Sequence, residues 1–251
     1  MADYQNSSDG RERILSRIRA ALRQPAPQHA PQDILGAARA AIFAPISDPL
    51  ARFQAECAEN HTECILAPDM DAAGAAVASV LASLPAGEIF AQDAPELRRI
   101  LRQGTALAVP KSAPISGVLT PEVPGTTRPI RWSNAAAGDE GVPAESSQAT
   151  ITLAEALVAQ TGSVFISSAC GGRGASIVAP VHIVVASVAQ LLPDLDSAFA
   201  RLRQTAAPAK NSYLCLITGS SRTSDIEKIL VLGAHGPRRL VVVLSLRKES
   251  L

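Results

Sequence analysis

Residues 213–246 read YLCLITGSSRTSDIEKILVLGAHGPRRLVVVLSL. The apolar run Tyr213–Ile217 predicts a strand buried on both faces, and the run LVVVL from Leu240 predicts a second. Between them the polar stretch Thr218–Ser224 predicts a loop, and Asp225–Leu232 a helix. Ser224 and Glu227 stand at capping-box spacing, Asp225 favours a first helical turn, and Ser221 is an alternative cap. Gly233 suits a left-handed helix end, and Pro237 prevents continuation. A helix opening behind such a loop leaves backbone N–H groups where an anionic ligand can sit. Arg222 puts a cation among those donors, a combination that suits a carboxylate or phosphate. The G-x-x-x-x-G-K-[ST] pattern of a P-loop is absent.

The preceding chain has a compatible rhythm. Strands are predicted around Cys64–Leu66, at Ile89–Ala91 and at Ala106–Val109, with helices over Asp71–Leu84 and Ala94–Gln103. Short apolar strands alternating with helices predict an α/β fold with a parallel sheet covered on both faces, a three-layer arrangement. Six prolines interrupt residues 110–148, which predicts a long loop. Its one tryptophan, Trp132, reads as filling a gap in the core. In ITLAEALVAQTGSVFISS the pattern permits a helical turn followed by a hairpin at Thr161-Gly162, or a helix over Leu153–Val158. Ser163–Ser167 and His182–Ser187 read as strands, CGGRGAS at Cys170–Ser176 as a turn or loop, and Asp194–Arg203 as a helix.

The N-terminal segment differs. Arg11–Gln24 places Ile14, Ile18, Ala21 and Leu22 on one helical face, and Pro25, Pro27 and Pro31 then break the helix. Residues 1–32 therefore read as an amphipathic helix and Pro-rich linker, and 33–251 as the α/β domain. Such a short helix needs a surface to stabilise it, either its own domain or another subunit.

Composition narrows the function classes. Lys+Arg and Asp+Glu number 23 each, so no long-range field draws the chain to nucleic acid. Hydrophobic residues make up 47% of the chain and aromatics 3%, a poor composition for stacking bases. No apolar run approaches the ~18–20 residues of a membrane span. The N-terminus lacks the apolar centre of a secretory signal, so a cytoplasmic location is expected. Cys57, Cys64, Cys170 and Cys215 form no C-x-x-C pair, and neither a metal nor an iron–sulfur cluster is expected on this chain alone.

The candidate ligand site comprises Thr218, Gly219, Ser221, Arg222 and Thr223, with the turn Thr161-Gly162 nearby. His235, between flexible positions, is a lesser candidate for proton transfer, with bonding to a helix-end carbonyl as its structural alternative. His182 opens a strand, where a histidine is ordinarily a satisfied core group. Cys170 is reactive only if its loop and Arg173 lower its pKa. The CGGRG stretch does not match a dinucleotide fingerprint.

The motifs TG-x-SRT-x-DIE and LG-x-HGP-[RK], in that order, resemble the closing segment of the LUD-domain family. AQTGSVFISS, VAPVHIVVAS, LLPDLDSAFARL and RERILSRIRAAL agree with it. Two positions depart from the family pattern: Ser220 stands where Pro is usual, and Gln160 where Glu commonly precedes Thr-Gly. A role as carboxylate base cannot pass to Gln160. The resemblance implies a fold similar to the sugar-isomerase and CoA-transferase-like architecture. It further implies a component of an L-lactate oxidation system, L-lactate to pyruvate, with iron–sulfur clusters carried by partner proteins and a small carboxylate or other anion as ligand. Two alternatives accompany it: a stand-alone enzyme acting on a phosphosugar or acyl-CoA, and a non-catalytic assembly subunit docking through residues 11–24.

Overall fold

The computed structural model describes residues 5–23, 45–103, 129–133, 146–205, 211, 213–224, 230–233 and 235–248. The chain divides into two units, Met1–Pro45 and Ile46–Leu251. In the first, α1 (Gln5–Leu22) exposes Ile14, Ile18 and Leu22. The Pro-rich segment at 25–32 and the strand expected at Ala106–Val109 lie outside the described residues.

The second unit is built on a six-stranded, wholly parallel sheet. Its strands are β1 (Glu63–Ala67), β2 (Ile89–Ala91), β3 (Ile130–Trp132), β4 (Ala149–Leu153), β7 (Val181–Ser187) and β12 (Arg239–Ser245). Their spatial order is β1-β12-β7-β4-β2-β3. The central strands are rich in Val, Ile and Leu because both faces are covered. Ile183, Val185, Val241 and Val243 face the helical layer of α3 (Met70–Ala82) and α4 (Pro95–Gln103). Val184, Ala186, Val242 and Leu244 face α2 (Pro49–Glu59) and a second sheet.

That second, four-stranded sheet has the order β8-β5-β6-β9, with β5 (Ala156–Val158), β6 (Ser163–Ser167), β8 (Leu191–Leu192) and β9 (Leu214–Ile217). Its inner face sets Leu157, Val164 and Ile166 against the large sheet. Its outer face sets Ala156, Val158 and Phe165 against Ala198 and Leu202 of α5 (Leu195–Gln204). Side chains that alternate along a strand supply both interfaces at once. Helix starts follow sequence chemistry: Asp48, Asp69 and Asp194 cap α2, α3 and α5 by accepting from Ala51, Ala72 and Ser197 N–H. At the amino edge of the large sheet Arg239 donates to both carboxylate oxygens of Glu63, at 2.6 and 2.8 Å, tying β12 to β1. The guanidinium holds the Glu63 carboxyl below its usual range.

Four expectations are corrected. Residues 230–232 are not helical: β10 (Arg222–Ser224) and β11 (Leu230–Leu232) form an antiparallel ribbon, Arg222 opposite Leu232. Ser224 ends β10, and Asp225 and Glu227 lie outside the described residues. An eight-residue helix has little stability of its own, and the Leu-Val-Leu run suits a strand equally well. Leu153–Val158 is not a helix: Ala149–Leu153 and Ala156–Val158 are strands, and the hairpin at Gly162 (φ 63°) holds. Strand β9 is half-buried rather than enclosed: it edges the small sheet and, among the described residues, pairs only with β6. Within 110–148, Ile130–Trp132 is a strand, and Trp132 packs against the core beneath the Arg98 guanidinium, 4.5 Å from its ring.

Helices α3 and α4 cross at Gly74, where an added Cβ would sit 2.8 Å from the Ile100 carbonyl oxygen. In an open helix, Gly→Ala stabilises by about 1 kcal/mol. Here a backbone oxygen must yield, so Gly74→Ala is expected to lower stability by about 1–3 kcal/mol. Urea unfolding checks the sign; a stabilised variant would mean the crossing is looser than described.

Candidate functional site

Helix α2 ends at Glu59, with Asn60 as its C-cap and His61 at φ 57°. Asn60 gathers the segments singled out above. Its Nδ2 donates to Thr161 O at 3.0 Å, and its carbonyl accepts from Arg222 Nη2 at 3.3 Å. Gly162 and Gly219 permit the approach. A Cβ at Gly162 would lie 2.8 Å from Glu56 Cβ, and one at Gly219 (φ 86°) 2.5 Å from Asn60 O. Ser163 Oγ donates to Thr161 Oγ1 at 2.7 Å and lies 2.6 Å from Thr218 Oγ1. Thr161, Gly162, Thr218, Gly219 and Arg222 thus form one shelf.

Ser221, Thr223 and His235 belong elsewhere. Ser221 turns toward the 233–237 turn: its N–H donates to Pro237 O at 2.8 Å, and its Oγ accepts from His235 N at 3.3 Å. His235 is exposed and meets Ser221 through its backbone. Thr223 pairs with Val231 in the ribbon.

Two features of the shelf differ from the expected anion site. Residues 230–232, the far end of the helix expected behind the loop, are strand, and Asp225, where that helix would open, lies outside the described residues. The loop instead meets the C-terminus of α2, where backbone carbonyls concentrate partial negative charge. Arg222 answers one of those carbonyls. The shelf also borders the start of β1, at the amino edge of the large sheet, whereas ligands of open parallel sheets ordinarily sit at the carboxyl edge.

The carboxyl edge holds a second cluster, which the sequence reading missed. The strand order reverses between β2 and β4: one path runs from β2 to β3, the other from β4 through β7 to β12. Beyond β4 stands Glu155, whose Oε1 accepts from Ser167 Oγ at 2.5 Å. Beyond β2, Gln92 Oε1 accepts from Leu153 N at 2.8 Å, and Asp93 N–H donates to Ser133 Oγ at 2.9 Å. Arg98 grips Asp93 through Nε and Nη2, at 2.5 and 2.9 Å, and holds its carboxyl below the usual range. Reading 149–158 as two strands would have placed Glu155 at a strand end, the one signal that exposes it.

Cys170 is not an activated nucleophile. Burial pushes its thiol up to about 12, with Glu155 adding to the effect. His182 faces the second layer with Nε2 2.9 Å from Thr152 Oγ1, while Nδ1 is buried without a partner. Among the described residues, no group of three His, Cys, Asp or Glu could hold a metal. Among them too, no helix is long and apolar enough to cross a membrane.

The LUD domain model matches residues 50–245, so the fold and both clusters fall within it, and the chain belongs to the LUD domain family. The chain is 31% identical over 134 residues to lactate utilization protein C of Bacillus licheniformis and equally so to that of Bacillus subtilis. Each match covers 52% of this chain and 56% of the relative, so the chain spans about half the length of these relatives. Lactate utilization protein C of Geobacillus thermodenitrificans is 25% identical over 209 residues, 81% of both chains. The crystal structure of a DUF162 family protein from Deinococcus radiodurans superposes with a TM-score of 0.52, covering 80% of this chain and 99% of that one at 16% identity, which establishes the likeness of fold.

Burial lowers the His182 pKa to about 4 from an ordinary 6.5. Unfolded chains take up this proton below about 6.5, whereas the folded protein resists until about 4. The stabilisation is complete above 6.5 and is lost as pH falls through that window, by at most about 1.4 kcal/mol per pH unit. His182→Gln should flatten this part of the stability–pH profile in urea melts. An unchanged slope would mean that the imidazole is protonated in the folded state.

Proposed function

We propose that this chain is a component of an L-lactate-oxidising system, L-lactate to pyruvate, with electrons passing to iron–sulfur clusters on partner proteins. The name of the relatives supports the pathway. On this reading the chain holds a small carboxylate on the shelf of Thr161, Gly162, Thr218, Gly219 and Arg222, with Ser221 and Thr223 shaping the loop. The observation that carries the ligand reading is Arg222: it spends one N–H on Asn60 O and, among the described residues, pairs with no carboxylate. A guanidinium so placed retains donors for a bidentate carboxylate.

On this reading affinity rests on this guanidinium and the neighbouring hydroxyls, against the negative end of α2. Removing one charge-assisted partner costs about 1.5–3 kcal/mol, or roughly 10–100-fold in Kd. Arg222→Ala is expected to weaken L-lactate binding by that factor in calorimetric titration, with Arg222→Lys recovering only part. Unaltered binding in Arg222→Ala would remove the shelf from consideration.

A specific observation favours one second reading. Glu155, fixed by Ser167 at the reversal point of the large sheet, occupies the ordinary place of a catalytic carboxylate in parallel α/β enzymes. A stand-alone enzyme for a phosphosugar or acyl-CoA would work there. In the subunit reading, the exposed Ile14, Ile18 and Leu22 of α1 offer the docking face. A tagged pull-down from native cells grown on L-lactate separates the readings. The expected outcome is co-purification of iron–sulfur proteins, with lactate oxidation lost when this chain is omitted. Partner-free protein that turns over an acyl-CoA or phosphosugar, and loses that turnover in Glu155→Gln, would overturn the subunit reading.

A further inference from the structure

Ser245 ends β12 at the carboxyl edge of the large sheet, directly after the apolar run Leu240–Leu244. It is fully buried, yet its Oγ has no hydrogen-bond partner among the described residues. An unpaired buried hydroxyl is costly, and native structures hold few of them. Its register partner on β7 is different: Ser187 Oγ donates to Arg247 O at 3.0 Å and accepts from Ala189 N at 3.2 Å.

The pleat fixes where the Ser245 side chain points. Val241 and Val243 face the helical layer, and Ser245 continues that alternation. Helix α3 packs on β1 and β12, and it starts directly after Pro68-Asp69, which follow the end of β1. Its first turn therefore stands at the carboxyl edge. Ser245 lies opposite Ala67 in register, and Leu246 N donates to Ala67 O at 2.8 Å. The hydroxyl is thus aimed at the start of α3.

That start carries unspent donors. Asp69 accepts from Ala72 N through its side chain and from Ala73 N through its carbonyl, each at 2.9 Å. The N–H groups of Met70 and Asp71 have no acceptor among the described residues. The chain leaving β1 turns to the helical face, whereas the chain leaving β7 turns to β8 in the second sheet. Strand β12 ends between these parting connections, the kind of crevice in which parallel sheets bind ligands.

We propose that the carboxyl end of β12, between Ser245 and the first turn of α3, is a binding site for the carboxylate of a small organic acid.

Met70 N–H, Asp71 N–H and the Ser245 hydroxyl supply the hydrogen bonds, and the dipole of the 13-residue helix adds partial positive charge. The charges nearby select the kind of anion. Asp69 and Asp71 flank the site, Arg247 and Lys248 follow Ser245, and their formal charges cancel. Attraction then comes from oriented donors rather than net charge, which favours a monoanion over a phosphate dianion. Glu155 stands beyond β4, two strands from β12. At ordinary strand spacing that is roughly 10 Å, where salt screens its repulsion. The site is separate from the amino-edge shelf and does not depend on the shelf binding a ligand.

The test is an NMR titration of the 15N-labelled full chain with sodium acetate replacing sodium chloride at constant ionic strength. The Met70 and Asp71 amide signals are expected to shift and to saturate. Ser245→Ala should weaken acetate binding by about tenfold or more. In chloride alone the same variant should be no less stable than the parent in urea melts, because no hydrogen bond is lost. Asp71→Asn should tighten binding by removing a flanking negative charge, and inorganic phosphate at pH 8 should bind more weakly than acetate. Arg222→Ala should leave the Met70 and Asp71 response intact. Shifts that never saturate, or an acetate affinity unchanged by Ser245→Ala, would overturn the proposal. Loss of the response in Arg222→Ala would assign it to the shelf instead. A Ser245→Ala chain destabilised in chloride would show that the hydroxyl already has a protein partner, and the site would fall with it. Phosphate binding as tightly as acetate would overturn the choice of a monoanion.

Discussion

The pairing of β12 with β7 and β1 is the constraint on which the rest of this structure depends. Arg239–Ser245 lies in parallel register with Val181–Ser187 on one side and with Glu63–Ala67 on the other. The last strand of the fold therefore separates the first strand from all the others, and the sheet is incomplete until it arrives. Neither contact is local in sequence, so the chain must close long loops before either partner is rewarded. The continuous LVVVL run supplies that reward. Leu240, Val242 and Leu244 bury one face, and Val241 and Val243 the other, with no polar side chain before Ser245.

Placing β12 also places the loop ahead of it. Arg238 N donates to Pro180 O, Ser221 N donates to Pro237 O, and Gly233 N donates to Ser221 O. The ribbon of β10 and β11 is thus anchored at the amino edge of the large sheet rather than at the carboxyl edge. Thr218–Arg222 consequently meets the end of α2, which itself runs into β1 through Asn60 and Thr62. The shelf is a consequence of sheet order, with Asn60 as the residue that joins its parts.

Much of the fold was legible in the sequence because burial on two faces leaves an unmistakable apolar run. Ile89–Ala91, Ser163–Ser167 and the strand through His182 were visible for that reason, as was the helix start near Asp194. The two misread segments are those where local preference and tertiary pairing disagree. In ITLAEALV the Ala, Glu and Leu residues favour helix, yet Thr150 and Thr152 sit beside His182 and Val184 in the sheet. Near Leu230–Leu232 three apolar residues are too few to distinguish the two periods, and pairing with Arg222–Ser224 decides. The candidate site was legible only in part for a related reason. Thr161, Gly162, Thr218, Gly219 and Arg222 carry turn and anion chemistry in their own identities. Asn60 and Glu155 acquire meaning only through partners distant or turned away in sequence.

The two edges of the large sheet carry opposite chemistry, and this bears on how the chain works. The amino-edge shelf offers an arginine and hydroxyls; the carboxyl edge offers Glu155 held by a serine, with Arg98 already neutralised by Asp93. A carboxylate ligand at the carboxyl edge would face Glu155 without a free cation among these residues, whereas at the shelf it meets Arg222 directly. Conversely, the shelf has no fixed carboxylate among its five residues to serve as a proton acceptor, while Glu155 has the position and the orienting hydrogen bond for that task. The cation of the shelf and the carboxylate of Glu155 therefore stand at opposite ends of the strands. Under the proposed subunit reading, this division suits presenting an anionic ligand to partner proteins better than converting it alone.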